Sequence, residues 1–116
     1  MKDDLKQRTK QFALDCIKLS NRLPNTVLGR HVKGQLIRSG TSVAANYRAA
    51  NLGQTKALFT AKISIVIEEA DESEFWLEII EEEKLIVDPE ITRLKTEAHE
   101  IASILISSRK TIMQQK

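Results

Sequence analysis

The side chains best suited to chemistry in this chain are cations, and they come early. Lys6, Lys10, Lys18, Arg22, Arg30, Lys33, Arg38, Arg48 and Lys56 all fall within residues 1–60. Ammonium and guanidinium groups placed on one surface neutralise phosphates and release their counterions. Residues 1–60 carry 11 Lys/Arg against 3 Asp/Glu, a net of +8, while residues 61–116 carry 7 against 13, a net of −6. The overall charge of +2 therefore hides a polarised molecule. Two uses fit such a split: an anionic partner for the first half, or pairing of basic with acidic faces between subunits. Aromatic residues are not interleaved with the cations, which argues against a base-stacking platform and for recognition of backbone or shape.

Other chemistries fit less well. The run Glu68-Glu69-Ala70-Asp71-Glu72-Ser73-Glu74 could supply a general acid, but catalytic carboxylates sit in pockets that shift their pKa. Most of this run falls on an outward helical face, so a solvated stripe is the expectation, with Glu69 as an ion-pair partner. A di-iron bundle needs Glu-x-x-His pairs, which put both ligands on one helical face. Here Thr96 precedes His99 at that spacing and Leu28 precedes His31, so no metal and no other cofactor is expected. No glycine-rich phosphate loop and no nucleophile motif is present, and no catalytic residue is assigned. Cys16 is the single cysteine, which excludes an internal disulfide, fits a reducing compartment and reads as a small buried apolar group. The apolar runs are far shorter than the ~20 residues a membrane span needs. The charged start Met1-Lys2-Asp3-Asp4 is unlike a secretory signal. A cytoplasmic location without membrane contact is expected.

The elements that must hold these residues are helices. Pro24, Gly53 and Pro89 divide the chain into four segments, and helices are predicted at about 4–22, 27–52, 56–83 and 89–113. In the first, Leu5, Thr9, Phe12, Cys16, Leu19 and Leu23 alternate spacings of four and three, the seam of an amphipathic helix. In the fourth, Ile91, Leu94, Ala98, Ile101, Leu105, Ser108 and Ile112 do the same, and Asp88-Pro89 supplies a carboxylate cap followed by a proline at the first helical position. The third has an apolar arc of Leu58, Phe59, Ile63, Val66, Ala70, Trp76, Leu77 and Ile80. Lys62, Glu69 and Ser73 project into that arc, so Lys62 and Glu69 should find partners on a neighbouring helix. Its opposite face carries Glu68, Asp71, Glu74, Glu78 and Glu82. The second has a core arc of Leu28, Val32, Leu36, Val43, Tyr47 and Ala50 with Ser39 and Asn46 inside it. Gly29, Gly34 and Gly40 lie in that helix, each at a cost of about 1 kcal/mol, which points to close backbone approach. Its outer face mixes Arg30, Lys33, Arg38 and Arg48 with Ile37, Thr41 and Ala44, a hint of a subunit interface. Four helices with short connections make residues 1–116 one all-α domain, an antiparallel up-down-up-down four-helix bundle.

Two stretches carry a resemblance. Gln35-Leu-Ile-Arg-Ser-Gly-Thr-Ser-Val-Ala-Ala-Asn-Tyr-Arg-Ala-Ala50, and Lys62-Ile-Ser-Ile with Glu69-Ala-Asp-Glu-Ser-Glu-Phe-Trp-Leu77, resemble the small four-helix-bundle proteins encoded in intervening sequences of bacterial large-subunit ribosomal RNA genes. The similarity covers nearly the whole chain in length and helix order. One departure is Ala49, where relatives often have Glu. The resemblance implies a homo-oligomer, a ring-like homopentamer. It also implies kinship with accessory proteins of diversity-generating retroelements, which have a basic surface and associate with nucleic acid and a reverse transcriptase. It gives Ser42, Asn46, Lys62 and Glu69 a reading as a buried hydrogen-bonded network that fixes helix register.

These observations lead to the expectation of a non-enzymatic, oligomeric accessory protein that binds RNA or another nucleic acid through a basic face of its first two helices, with RNA or a nucleic-acid-bound protein as its partner. Arg30, Lys33, Arg38 and Arg48 are the first choice for phosphate contacts, with Lys10, Lys18 and Arg22 next. The alternative is a protein scaffold in which basic and acidic faces serve ring assembly or recruit a partner. An enzyme would need a pocket converging on Glu69 and Lys62.

Overall fold

A computed structural model describes residues 2–53 and 55–115; Met1, the first residue of the charged start, lies outside them. The four expected helices are present: α1 (Lys2–Ser20), α2 (Val27–Ala50), α3 (Lys56–Glu82) and α4 (Pro89–Gln114). Local chemistry sets three of their starts. The hydroxyls of Thr26 and Thr55 accept hydrogen bonds from the Gly29 and Leu58 amides at 3.0 Å, and the Asp88 carboxylate accepts from the Glu90 amide at 2.7 Å. Each satisfies an amide that the helix itself leaves unpaired. Pro89 follows its cap at the first helical position. At the end of α3 the chain turns through Lys84, whose φ of 53° is left-handed, and the Leu85 amide closes back on the Ile80 carbonyl at 3.0 Å.

The helices form an elongated bundle of 50 × 21 × 19 Å. Consecutive helices pack broadly, α1 on α2, α2 on α3 and α3 on α4, while α1 and α4 close the bundle through a much lighter contact. The core is aliphatic. Phe12, Cys16 and Leu19 of α1 meet Val32, Leu36 and Val43 of α2, with Ile63, Val66 and Leu77 of α3 and Leu94, Ile101 and Leu105 of α4 completing it. Burial pushes the Cys16 thiol up to about 12, so it behaves as a neutral apolar group.

Gly40 shows why α2 tolerates glycine. A Cβ built there would stand 2.8 Å from Cys16 Cβ and 2.9 Å from its sulfur, so the missing side chain lets α1 and α2 approach. Nothing lies within 4 Å of a Cβ at Gly34, so close approach does not account for that glycine. Across the α2–α3 contact the Ser39 and Ser73 hydroxyls pair at 2.9 Å inside the core, and Ser73 also reaches the Glu69 carbonyl at 2.9 Å. With one proton per hydroxyl, Ser73 donates to the carbonyl and accepts from Ser39.

The light α1–α4 contact and the chain just beyond it, at Arg22 and the Asp88 cap, are stitched by ion pairs. Arg8 meets Glu97 at 2.8 Å and Glu100 at 2.7 Å, Arg93 meets Asp15 at 2.8 Å, and Arg22 meets Asp88 at 2.8 Å. Two residues expected in the core are not there: Leu28 is 36% exposed and Leu58 is 54% exposed. Both sit in the first turn of a helix at an end of the bundle, where neighbouring helices stop.

Candidate nucleic-acid interface

The antiparallel pairing of α1 and α2, fixed by the Cys16–Gly40 approach, sets two surface stripes side by side. On α1 the stripe runs Lys6, Lys10, Ala13, Leu14 and Ile17; on α2 it runs Thr41, Ala44, Ala45 and Arg48. Thr41, Ala44 and Ala45 of α2 are small, so the helices leave a hollow of about 610 Å³ between them. Its floor is aliphatic and its rim is cationic. Lys6, Lys10 and Arg48 are exposed, and none forms an ion pair among the described residues. Gln7 adds an uncharged amide to the rim. A surface of this kind offers point charges to phosphates over an apolar bed.

The seven expected phosphate contacts do not form one surface. Lys10 and Arg48 come together at the groove. Lys33 shares the outer stripe of α2, at spacings of four, four, three and four through Ile37, Thr41, Ala44 and Arg48. The Arg30 guanidinium turns back to the Asn25 side chain at 3.0 Å. Lys18 lines a crevice of about 70 Å³ with Asp15, Arg22 and Glu90, on the α4 side of α1. Arg22 and Arg38 need correction as free phosphate ligands. Arg22 pairs with Asp88, and Arg38 bridges α2 to α3 through Glu69 at 2.9 Å and through Glu72. In both cases a carboxylate on the facing part of the chain takes the charge first.

The expected network of Ser42, Asn46, Lys62 and Glu69 also divides. Asn46 donates to the Ser42 hydroxyl at 2.8 Å and to its carbonyl at 3.0 Å, within α2. Glu69 turns to Arg38, and Lys62 has no hydrogen bond or ion pair among the described residues. All four are half-buried, and the fully buried polar link between α2 and α3 is Ser39–Ser73 instead. The Glu69 carboxylate that the network would need is taken by the Arg38 guanidinium, which meets two carboxylates at once.

The Arg38 cluster continues to Trp76, whose indole N–H donates to Glu72 at 2.9 Å; the His31 and Phe75 rings meet Trp76 edge-on at 5.5 and 4.9 Å. The indole bond, with Arg38 beside it, holds the Glu72 carboxyl below its ordinary value. Burial alone would raise the Asp15 carboxyl, but hydrogen bonds from Arg93 and Gln11 hold it below its ordinary value. On the outward face of α3, Glu68, Asp71 and Glu82 are exposed and form no ion pair among the described residues, with Phe75 between them at 48% exposure. Glu74 departs from that stripe toward His99 at 3.5 Å. No group of three or more metal-ligating side chains occurs among the described residues, and no described helix is long and apolar enough to cross a membrane.

Sequence reasoning counted Lys6 among the cations but not among the chosen phosphate contacts, and it did not name Gln7. The signal available was the spacing of Lys6, Lys10 and Leu14, four apart on one face of α1.

A family model described as "23S rRNA-intervening sequence protein" matches residues 1–107. A solved structure from Bacteroides thetaiotaomicron, described as a protein with unknown function from the S23 ribosomal protein family, is similar at 34% identity and a TM-score of 0.82; the match covers 95% of this chain and 99% of that one. No curated protein matches the chain.

Proposed function

The chain belongs to the 23S rRNA-intervening sequence protein family, and from that premise we propose that it is a non-enzymatic accessory protein that holds RNA by its phosphate backbone. The observation that carries this reading is the cationic rim of the α1–α2 groove. Lys6, Lys10 and Arg48 stay exposed and form no ion pair among the described residues, while Arg8, Arg22, Arg38 and Arg93 are drawn into intramolecular ion pairs. Free cations gathered at one place are what backbone recognition needs. The family description and the ribosomal wording of the similar structure point the same way by name. In this proposal the protein works in the cytoplasm as a homo-oligomeric ring, a pentamer as the resemblance implies, and the ring multiplies a modest cationic patch by avidity.

The test is fluorescence anisotropy of a labelled structured RNA against salt concentration. Three phosphate contacts give a log–log salt slope of about −2 to −3 per subunit. Replacing Lys10 and Arg48 together by Gln lowers that slope by about 2 and weakens binding evenly across RNA sequences. Absence of binding at low salt overturns the reading.

A second reading is favoured by the free acidic stripe of Glu68, Asp71 and Glu82 around Phe75. It complements the free cations of α1 and α2, so one subunit's groove and the next subunit's α3 form a head-to-tail contact, and the protein is a scaffold. Under this reading, Glu68→Lys with Asp71→Lys dissociates the oligomer in light scattering.

A further inference from the structure

The apolar floor of the α1–α2 groove asks for something that backbone contact alone does not supply. A hollow of about 610 Å³ falls within the range of about 300–1,000 Å³ typical of small-ligand sites. Its floor consists of Ala13, Leu14, Ile17, Ala44 and Ala45, and Leu14 is 41% exposed. An uninterrupted duplex sets phosphates on the rim but has no group that reaches down, so the floor stays wet. An unpaired nucleotide projects a flat base away from its backbone, and RNA recognition commonly uses such bases at bulges and loops.

Resting on the RNA reading above, we propose that this groove receives a single unpaired nucleotide of a structured RNA, its base in the aliphatic hollow and its flanking phosphates on Lys6, Lys10 and Arg48. Charge complementarity fixes the outer part of this occupant and the floor fixes the inner part. The base edge meets two uncharged groups. Gln7 offers an amide donor and acceptor at the rim. The Thr41 hydroxyl spends its proton on the Ile37 carbonyl at 2.7 Å and keeps lone pairs for an amino group. Among the described residues no aromatic ring lines the hollow, so the base is held by aliphatic packing rather than stacking. All four bases are then accepted with small differences, and the site reads an unpaired nucleotide rather than a sequence.

The experiment compares two labelled RNA hairpins with equal numbers of phosphates, one with a single-nucleotide bulge and one fully paired, by anisotropy over a salt series. The wild type binds the bulged hairpin about tenfold more tightly, the scale of one good nucleotide contact. Ala45→Leu and Ala44→Leu, both on the α2 side of the hollow, fill it without touching a charge. Both abolish the preference while leaving affinity for the paired hairpin and its salt slope unchanged; Ala45→Ser retains the preference. Circular dichroism checks that the variants fold, and Ala45→Leu carries the test if Ala44→Leu does not. Equal binding of the two hairpins by the wild type, with a normal salt slope, overturns the nucleotide site and leaves the RNA reading standing. A preference that survives both filling variants also overturns the site, and failure of both hairpins to bind at low salt overturns both readings.

Discussion

Two glycines six residues apart in α2 should respond in opposite directions to the same substitution. In a helix interior alanine is favoured over glycine by about 1 kcal/mol, and that gain is available at both positions. At Gly34 nothing lies within 4 Å of the added Cβ, so the whole gain survives. For a chain of this length 1 kcal/mol moves the melting temperature by roughly 4 °C. At Gly40 the added carbon stands 2.8 Å from Cys16 Cβ and 2.9 Å from its sulfur. Ordinary carbon contacts lie at about 3.5–4.0 Å, so the helices must part locally. The atom struck first is a Cβ fixed to the α1 backbone, which no rotamer change moves away. Overpacking of this kind costs about 1–3 kcal/mol, and the rigid neighbour places it near the upper end. Subtracting the propensity gain leaves Gly40→Ala about 2 kcal/mol less stable than wild type. It then stands about 3 kcal/mol, or roughly 12 °C, below Gly34→Ala. Urea and thermal unfolding followed by far-ultraviolet ellipticity measures both, with the single tryptophan, Trp76, as an independent probe. Adding Cys16→Ala to Gly40→Ala relieves only part of the loss, because the sulfur leaves and the Cβ stays. A Gly40→Ala protein as stable as wild type would refute the close approach of α1 and α2 at this point.

Arg38→Gln leaves Glu69 without its partner and Glu72 with only its Trp76 indole bond, and costs about 1 kcal/mol, a figure kept low because the guanidinium is half-exposed; the RNA salt slope, measured by anisotropy, stays unchanged. Lys84→Gly relieves a left-handed residue at the end of α3 and raises stability by about 0.5–1 kcal/mol in urea titrations. Acid weakens the fold in a defined window. The carboxyls of Asp15, Glu72, Asp88 and Glu90 are all held below ordinary values of 3.8 for Asp and 4.5 for Glu. Folded-state values below unfolded ones mean that this stabilisation is complete above the unfolded values and is lost as pH falls through the folded ones. Unfolding midpoints should hold steady down to about pH 5 and decline below about 4.

The helices were legible in the sequence because their determinants are local. The three–four alternation of Ile91 to Leu105 and the Asp88-Pro89 start needed no knowledge of the rest of the chain, and α4 begins where they place it. Leu28 and Leu58 misled because periodicity assigns a face but not the length of the neighbour that covers it. The candidate interface was legible only as a list of cations. Which of them stay free depends on pairings across helices: Arg38 meets Glu69 over 31 residues of sequence, and Arg8 meets Glu97 over 89. The groove was hidden for a similar reason. Small residues on α2 become a hollow only when Leu14 and Ile17 of α1 stand opposite them.

The uneven closure of the bundle also bears on the order in which it forms and opens. Contacts between consecutive helices span short loops, whereas the α1–α4 seam joins the two ends of the chain, so its loop-closure entropy is the largest to be overcome. The contacts between consecutive helices can therefore form first, and the α1–α4 seam closes last. In the native state the same asymmetry leaves α1 and α4 the first elements to detach, each held by one broad face and by the shared row of ion pairs that salt weakens. Amide protons of α1 and α4 should exchange through this partial opening, faster than those of α3 and with a dependence on ionic strength that α3 lacks.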